Sequence, residues 1–153
     1  MHCAGCGDVL WQFQVKVIAN AQIALGQRGI KRTPPEPDCG HGYGLAVHRH
    51  FDSDLPPLDQ QTELVLYRVA QESLTNVARH AEASRVWLSL QPGRDSVVLR
   101  VVDDGRGMNG RALNGGGLRG MRERAVLVGA ALAVKPARSG GVEVRLEVPT
   151  ETR

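Results

Sequence analysis

A chain of 153 residues with 42% hydrophobic and 23% charged residues suits one globular domain with its own core, and this composition argues against a disordered protein. The small formal net charge of +3 comes mostly from arginines, which favours a local anionic ligand over a nucleic-acid footprint, because the latter usually needs a broad basic stripe. No apolar run approaches the roughly 20 residues that span a bilayer. The chain has three cysteines, an odd number that does not suit a disulfide framework. We therefore expect a cytoplasmic protein without membrane insertion.

The N-terminal part of the chain shows only weak patterns. Scattered apolar residues between Leu10 and Leu25 match helical spacing in part, and the segment Arg32–Gly44, rich in proline and glycine, is typical of a linker. We therefore expect a loosely ordered arm over residues 1–43 and a folded domain over residues 44–150.

Cysteines and histidines in this arm raise the question of a metal site. Cys3 and Cys6 have Cys-x-x-Cys spacing, and Cys39 and His41 follow later, so together they offer four possible zinc ligands. A long stretch without a clear hairpin separates the two pairs. We therefore expect unligated thiols and no bound metal in the arm.

A strand and the longest periodic helix of the chain come next. Residues 45–51 alternate apolar and basic side chains, which predicts a strand, and Asp59 is a suitable N-cap for a helix over residues 60–81. Apolar or small residues at spacings of three and four give this helix one face for packing against a sheet: Leu66, Val69, Ala70, Ser73 and Val77.

A polar stripe runs beside that apolar face. Glu72, Asn76 and His80 follow one another at intervals of four residues, and Arg79 precedes the last of them. Such a row could hold a hydrated divalent cation and the phosphates that it bridges, because Mg2+ prefers oxygen ligands. The same row also fits an ordinary solvated helix face.

Residues 84–91 and 96–103 predict a β-hairpin around the turn Pro92–Asp95. The near-continuous apolar run of its second strand indicates a central strand buried on much of both faces, and places Asp103 beside the core. An unpaired buried charge is costly, so this carboxylate requires a hydrogen-bond donor from a ligand or from nearby backbone.

A glycine-rich segment follows, with seven of the 18 glycines falling between Gly105 and Gly120. This density predicts a loop over residues 105–117, either a flexible surface turn or a backbone that approaches a ligand such as a phosphate chain. The helix predicted over residues 118–128 would begin directly after three glycines, and helix N-termini bind anions. A last hairpin, residues 131–135 and 142–148, is predicted to expose one face of its final strand.

Three of these features, in this order, resemble the catalytic ATP-binding domain of sensor histidine kinases. Residues 67–81, which include the letters QESLTNVARHA, are similar to the N box of that family. Asp103-x-Gly105-x-Gly107 resembles its G1 box, and Gly115-x-Gly117-Leu118 resembles its G2 box. The letters GLRGMRERA are most similar to the nitrate-sensor-like subfamily. The resemblance implies an α+β fold of the Bergerat type, a two-layer α/β sandwich whose mixed sheet is covered on one face by helices.

The resemblance also implies a site for ATP and Mg2+. Asp103 would accept a hydrogen bond from the adenine amino group, and Gly105 and Gly107 would let the backbone pass close to the nucleotide. Asn76 would ligate magnesium and Glu72 would orient a water or polarise the reacting group, so these two are the implied catalytic residues. The other implied nucleotide-binding residues are Arg79, His80, Met108, Gly115, Gly117 and Leu118.

The implied reaction is transfer of the γ-phosphate to a histidine, and two departures from the family pattern bear on it. The accepting histidine of the family usually precedes an acidic residue in a dimerisation domain, and no His-Asp or His-Glu pair occurs here. We therefore expect the acceptor on another chain, with a response regulator downstream, unless the sequence is a fragment or a degenerate product. Val142 also stands where the family has threonine, which removes a hydroxyl that could help to hold adenine, a contact of about 1 kcal/mol.

Two other functions stay open on the sequence. One is a catalytically degenerate nucleotide-binding or docking module that regulates a partner kinase. The other is an anti-sigma serine kinase or a simple ATPase on the same fold, which the resemblance of the GMRERA helix to sensor kinases disfavours.

Overall fold

The computed structural model describes residues 45–108 and 115–150. The predicted arm with its cysteines, and the middle of the glycine-rich loop, lie outside the described residues. Within the described part of the chain, no helix is long and apolar enough to cross a membrane.

Five strands and two helices make up the described fold. They are β1 (Ala46–Phe51), α1 (Gln60–Asn76), β2 (Arg85–Pro92), β3 (Ser96–Asp103), α2 (Gly116–Leu127), β4 (Ala131–Pro136) and β5 (Val142–Pro149), and one π-helical turn (Val77–Ala81) extends α1. The predicted strands agree with these bounds within one residue.

The strands form one mixed sheet in the order β1-β2-β3-β5-β4. β1 runs parallel to β2, and the remaining neighbours are antiparallel. β3 therefore lies at the centre, as its apolar composition predicts. Its C-terminal residue, Asp103, pairs with Val86 at the start of β2.

Both helices cover the same face of this sheet. Alternate residues of β2, β3 and β5 point to the helices and are almost fully buried, among them Leu88, Leu99 and Leu146. Leu66 and Val69 of α1 and Met121 of α2 complete this core. The two-layer sandwich implied by the resemblance is therefore the observed architecture.

Helix α1 begins where the sequence predicts. The Asp59 side chain accepts hydrogen bonds from the Thr62 amide at 2.7 Å and from the Thr62 hydroxyl at 3.1 Å, which satisfies one of the unpaired donors at the helix start. All five residues of the predicted packing face are buried. The predicted C-terminus at Ala81 is also right, but its last turn is π-helical rather than α-helical.

Three predictions need correction. The outer face of β3 is only partly buried, because Val98 and Val102 are half-buried and Arg100 is exposed. Glu143 on the outer face of β5 is 8% exposed rather than solvated, since Arg100 holds it at 3.2 Å and Lys135 lies 3.8 Å away. α2 begins at Gly116 rather than Leu118, because burial of Leu118 and Met121 outweighs the low helix propensity of glycine.

Candidate functional site

Asp103 lies on the helix-covered face of the sheet, at the C-terminal end of the central strand β3. It continues the row of inward positions Val97, Leu99 and Val101, and is 3% exposed. One carboxylate oxygen accepts the Gly105 amide at 2.8 Å, and the other accepts the Val142 amide at 3.3 Å. Each carboxylate oxygen can accept a second bond, so Asp103 keeps acceptor capacity for a donor on a ligand.

Burial raises the pKa of Asp103, and the negative charge of Asp104 adds to the effect. The amides of Gly105 and Val142 oppose it, because a hydrogen bond to the charged form stabilises that form. The carboxylate is therefore held in place by backbone donors in an environment that disfavours its charge. Any further hydrogen-bond donor that reaches such a carboxylate stabilises its charged form.

Main chain packs directly against main chain around this carboxylate. A Cβ on Gly141 would overlap the carboxylate and the carbonyl oxygen of Asp103, and a Cβ on Gly107, whose φ is +80°, would lie 2.9 Å from the Gly140 carbonyl oxygen. The Ser139 hydroxyl donates to the Asp103 carbonyl oxygen at 2.7 Å. The turn between β4 and β5 thus forms one wall of the site.

The π-helical turn at the end of α1 forms the next part of the wall. A Cβ on Gly105 would overlap the Ala81 carbonyl oxygen and would lie 2.8 Å from the Ala81 Cβ. The Arg106 amide donates to that same carbonyl at 2.8 Å. Arg79 and His80 belong to this turn, and both are exposed to solvent.

The other polar residues of the α1 stripe lie nearer to α2. The Glu72 carboxylate contacts Gly117 in the first turn of α2, where a Cβ on Gly117 would overlap it. Asn76 is half-buried one turn further along α1. From Glu72 to Ala81 the helix rises by roughly 13 Å, at about 1.5 Å per residue, so the stripe runs from the start of α2 to the neighbourhood of Asp103.

The start of α2 offers unpaired amide groups at this end of the stripe. Gly115 is the N-cap without a side-chain hydrogen bond, and the Arg119 amide donates the first intrahelical bond, to the Gly115 carbonyl at 3.4 Å. The amides of Gly117 and Leu118 precede it and have no intrahelical acceptor. The Leu118 side chain is 5% exposed and belongs to the core, so its amide rather than its side chain is the group that a ligand could reach.

The structure thus brings together Glu72 with Gly117, and Asp103 and Gly105 with the end of the stripe. Met108 is half-buried directly after Gly107. Within the described residues, no hydrogen bond joins the side chains of Asn76, Arg79 or His80 to the rest of the site. No group of three or more His, Cys, Asp or Glu side chains that could hold a metal ion occurs in residues 45–108 and 115–150.

Sequence reasoning missed the residues that hold the ends of these segments. Asp104 accepts the amides of Ser84 and Arg85, both at 2.8 Å, and Ser139 holds Asp103 as described above. The signal for Asp104 was the pair of adjacent carboxylates, of which only one can face inward on a strand. No local signal marks Ser139, because its partner lies 36 positions away.

Comparison with known proteins identifies relatives of this chain. The family profile of the histidine kinase-, DNA gyrase B-, and HSP90-like ATPases matches residues 61–152. The oxygen sensor histidine kinase NreB of Staphylococcus carnosus is 36% identical over 111 residues, which cover 70% of this chain and 32% of that protein. The sensor histidine kinase YxjM of Bacillus subtilis is 34% identical over 97 residues, covering 63% of this chain and 23% of that protein.

A solved structure has a similar fold. The blue-light activated histidine kinase of Erythrobacter litoralis superposes with a TM-score of 0.66 at 23% identity, covering 89% of this chain and 43% of that one. The chain spans a third or less of the length of NreB and of YxjM, two of the curated relatives that it matches.

Proposed function

The chain belongs to the family of histidine kinase-, DNA gyrase B-, and HSP90-like ATPases, and we propose that it is the ATP-binding catalytic domain of a two-component sensor histidine kinase, which transfers the γ-phosphate of ATP to a histidine on another chain. The observation that carries the proposal is Asp103. Its buried carboxylate is fixed by two backbone amides at the end of β3 and keeps acceptor capacity. An adenine amino group is the donor that this acceptor would bind.

The residues around Asp103 fit a flat base. Gly105 and Gly141 leave no side-chain atoms between the base and the carboxylate, and any Cβ there would overlap Asp103 or Ala81. Val142 contributes its amide to Asp103, a contact that does not depend on the side chain. The valine therefore leaves the carboxylate in position, although it lacks the hydroxyl that threonine would provide.

The residues at the start of α2 and on α1 fit the phosphates and a magnesium ion. The Gly115 and Gly117 region and the Leu118 amide present the positive end of the helix dipole to an anion. Asn76 would ligate Mg2+, which neutralises phosphate charge when bound. Glu72 would orient the reacting group, while Arg79 and His80 would bind phosphate oxygens. Met108 would lie beside the nucleotide at the start of the loop.

Catalysis by these residues is positioning combined with charge neutralisation, since phosphoryl transfer requires little covalent chemistry from the protein. Buried Asp103 fixes the base, and rigid contact through Gly105 fixes the base relative to α1. Glu72 and Asn76 on α1 are thereby set at a constant distance from the base. The phosphoacceptor histidine of the partner must then enter beside Glu72, and a response regulator would receive the phosphoryl group from it.

Phosphotransfer to a partner chain tests this proposal. The protein is incubated with γ-labelled ATP, Mg2+ and the candidate dimerisation-domain chain encoded beside it. We expect acid-labile, base-stable label on the partner with the wild type and with Asp95→Asn, an exposed carboxylate in the β2–β3 turn, and no label with Asp103→Asn. Equal labelling by both variants would contradict the role of Asp103.

One feature favours a second function, a docking module that regulates a partner kinase. The Glu72 carboxylate lies against the first turn of α2, where it opposes the entry of another anion. Failure of the wild type to bind ATP at millimolar nucleotide, together with stable association with the partner chain, would establish this alternative.

A further inference from the structure

Arg106, between the two glycines Gly105 and Gly107, makes contacts that no role at the base or at the phosphates requires. Its side-chain Nε donates to the His80 carbonyl oxygen at 2.9 Å, and its amide donates to the Ala81 carbonyl oxygen at 2.8 Å. One terminal nitrogen of its guanidinium lies 3.3 Å from the Glu82 carboxylate. One residue of the base-site loop thus binds three successive residues at the end of α1.

These contacts meet a need that the helix cannot meet by itself. The last carbonyls of a helix lack intrahelical donors, and the chain leaves the π-helical turn through Glu82 in the left-handed conformation, with φ 51°. Beyond Glu82 and Ala83, the amides of Ser84 and Arg85 donate to Asp104 instead. The His80 carbonyl is therefore left for water unless Arg106 binds it.

The Nε hydrogen bond, rather than the ion pair, is the effective part of this contact. The Arg106 and Glu82 side chains are 51% and 71% exposed, and exposed ion pairs contribute little because water screens them. The hydrogen bond to His80 is directional, and it carries positive charge to a helix C-terminus. It also adds a side-chain bond to the main-chain bond from the Arg106 amide, which joins the same turn to the described part of the loop.

We propose that Arg106 is a positioning residue that locks the π-helical turn carrying Arg79 and His80 to the loop that holds the base. The proposal rests on the proposed function, since Arg79 and His80 are placed there at the phosphates. Locking the turn sets the orientation of these two residues when the base is bound. Arg106 therefore acts on phosphate binding through the turn, without contacting the nucleotide.

Substitutions at Arg106 separate this role from direct charge attraction. Glutamine carries its amide nitrogen at the chain position of the arginine Nε, so Arg106→Gln keeps the donor to His80 and removes the charge. Arg106→Lys keeps the charge but has a methylene group at that position. Positioning predicts that Arg106→Gln binds ATP within about twofold of the wild type. Positioning also predicts that the affinity for ATP falls on the order of fivefold for both Arg106→Lys and Arg106→Ala.

The experiment measures the dissociation constants of MgATP and of adenosine for the full chain and its variants, alongside their thermal unfolding. Arg94→Ala, an exposed arginine in the β2–β3 turn, serves as the control and should match the wild type. Adenosine affinity should change less than twofold in every variant, because adenosine carries no phosphate. Should Arg106→Ala not fold, the comparison of glutamine with lysine decides the question.

Three results would overturn the inference. If Arg106→Lys binds as the wild type does while Arg106→Gln is weakened like Arg106→Ala, the residue acts by direct charge. Equal losses for adenosine and ATP would reduce it to a structural support of the base site. Truncating Arg79 and His80 to alanine should abolish the effect of Arg106→Ala, so a persistent effect would also contradict it. A wild type that binds no ATP would instead refute the proposed function itself.

Discussion

Replacing Gly105 with alanine tests how closely the base-site loop must approach helix α1. The new Cβ would overlap the Ala81 carbonyl oxygen, and it would lie 2.8 Å from both the Ala81 Cβ and the nearer oxygen of Asp103. Carbon atoms in ordinary contact are about 3.5 Å apart or more, so the loop must move away by at least about 0.7 Å. Neither Ala81 atom belongs to a flexible side chain that could yield.

The expected destabilisation follows from the contacts that this movement disturbs. Overpacking of a rigid site costs about 1–3 kcal/mol. The bonds from the Arg106 amide to Ala81 and from the Gly105 amide to Asp103, both 2.8 Å long, are stretched, at a cost of about 1 kcal/mol each. The lower entropy of the unfolded alanine variant offsets about 0.4–1 kcal/mol. We therefore expect the free energy of unfolding to fall by about 2–5 kcal/mol.

Urea denaturation followed by far-UV circular dichroism measures this change. Gly116→Ala is the matched control, because nothing lies within 4 Å of a Cβ at that position and alanine is favoured over glycine in a helix by up to about 1 kcal/mol. The control should be as stable as the wild type or more stable. A Gly105→Ala variant within about 0.5 kcal/mol of the wild type that also binds ATP normally would refute the argument from close approach.

Three further predictions concern other parts of the site and its support. Asp59→Ala should lower the urea midpoint at neutral pH. Hydrogen bonds to backbone lower the pKa of Asp59 in the folded state, so the difference in urea midpoint should vanish as the pH falls through that lowered pKa. A difference that persists in acid would contradict the capping role. Burial raises the folded-state pKa of Asp103, so the stabilising contribution of this group is complete below its unfolded-state pKa and is lost as the pH rises through the folded-state pKa. The free energy of unfolding of Asp103→Asn, measured against the wild type, should therefore rise with pH across that window. A difference that falls with pH would refute the burial argument. Gly117→Ala should displace the flexible Glu72 carboxylate, leaving the free energy of unfolding within about 0.5 kcal/mol of the wild type while phosphotransfer falls on the order of tenfold or more. The neighbouring Gly116→Ala should neither displace Glu72 nor slow phosphotransfer. Equal phosphotransfer by both variants would exclude a role for the Glu72 contact.

The positions of Asp103 and of the apolar face of α1 could be predicted because both follow from local periodicity. Asp103 continues the period-two row of Val97, Leu99 and Val101, so it had to share their face of the sheet. Leu66 and Val69 fall on one face of a helix for the equivalent reason. Such patterns require no knowledge of the rest of the chain.

The features that local sequence could not predict are imposed by distant partners. The π-helical turn ends α1 where Gly105 and Arg106 press against Ala81, and these residues lie more than 20 positions further along the chain. Glu143 occupies an alternating position that predicts exposure, yet Arg100 of the neighbouring strand helps to bury it. The parallel pairing of β1 with β2 likewise depends on the path of α1 across the sheet.

Calorimetric titration with ATP, in the presence and absence of Mg2+, tests the central claim most directly. We predict that the wild type and Asp95→Asn bind one ATP per chain, more tightly with Mg2+, and that Asp103→Asn loses this binding. Absence of binding at millimolar ATP, or equal affinity of Asp103→Asn and the wild type, would contradict the assignment of Asp103 as the residue that recognises the base.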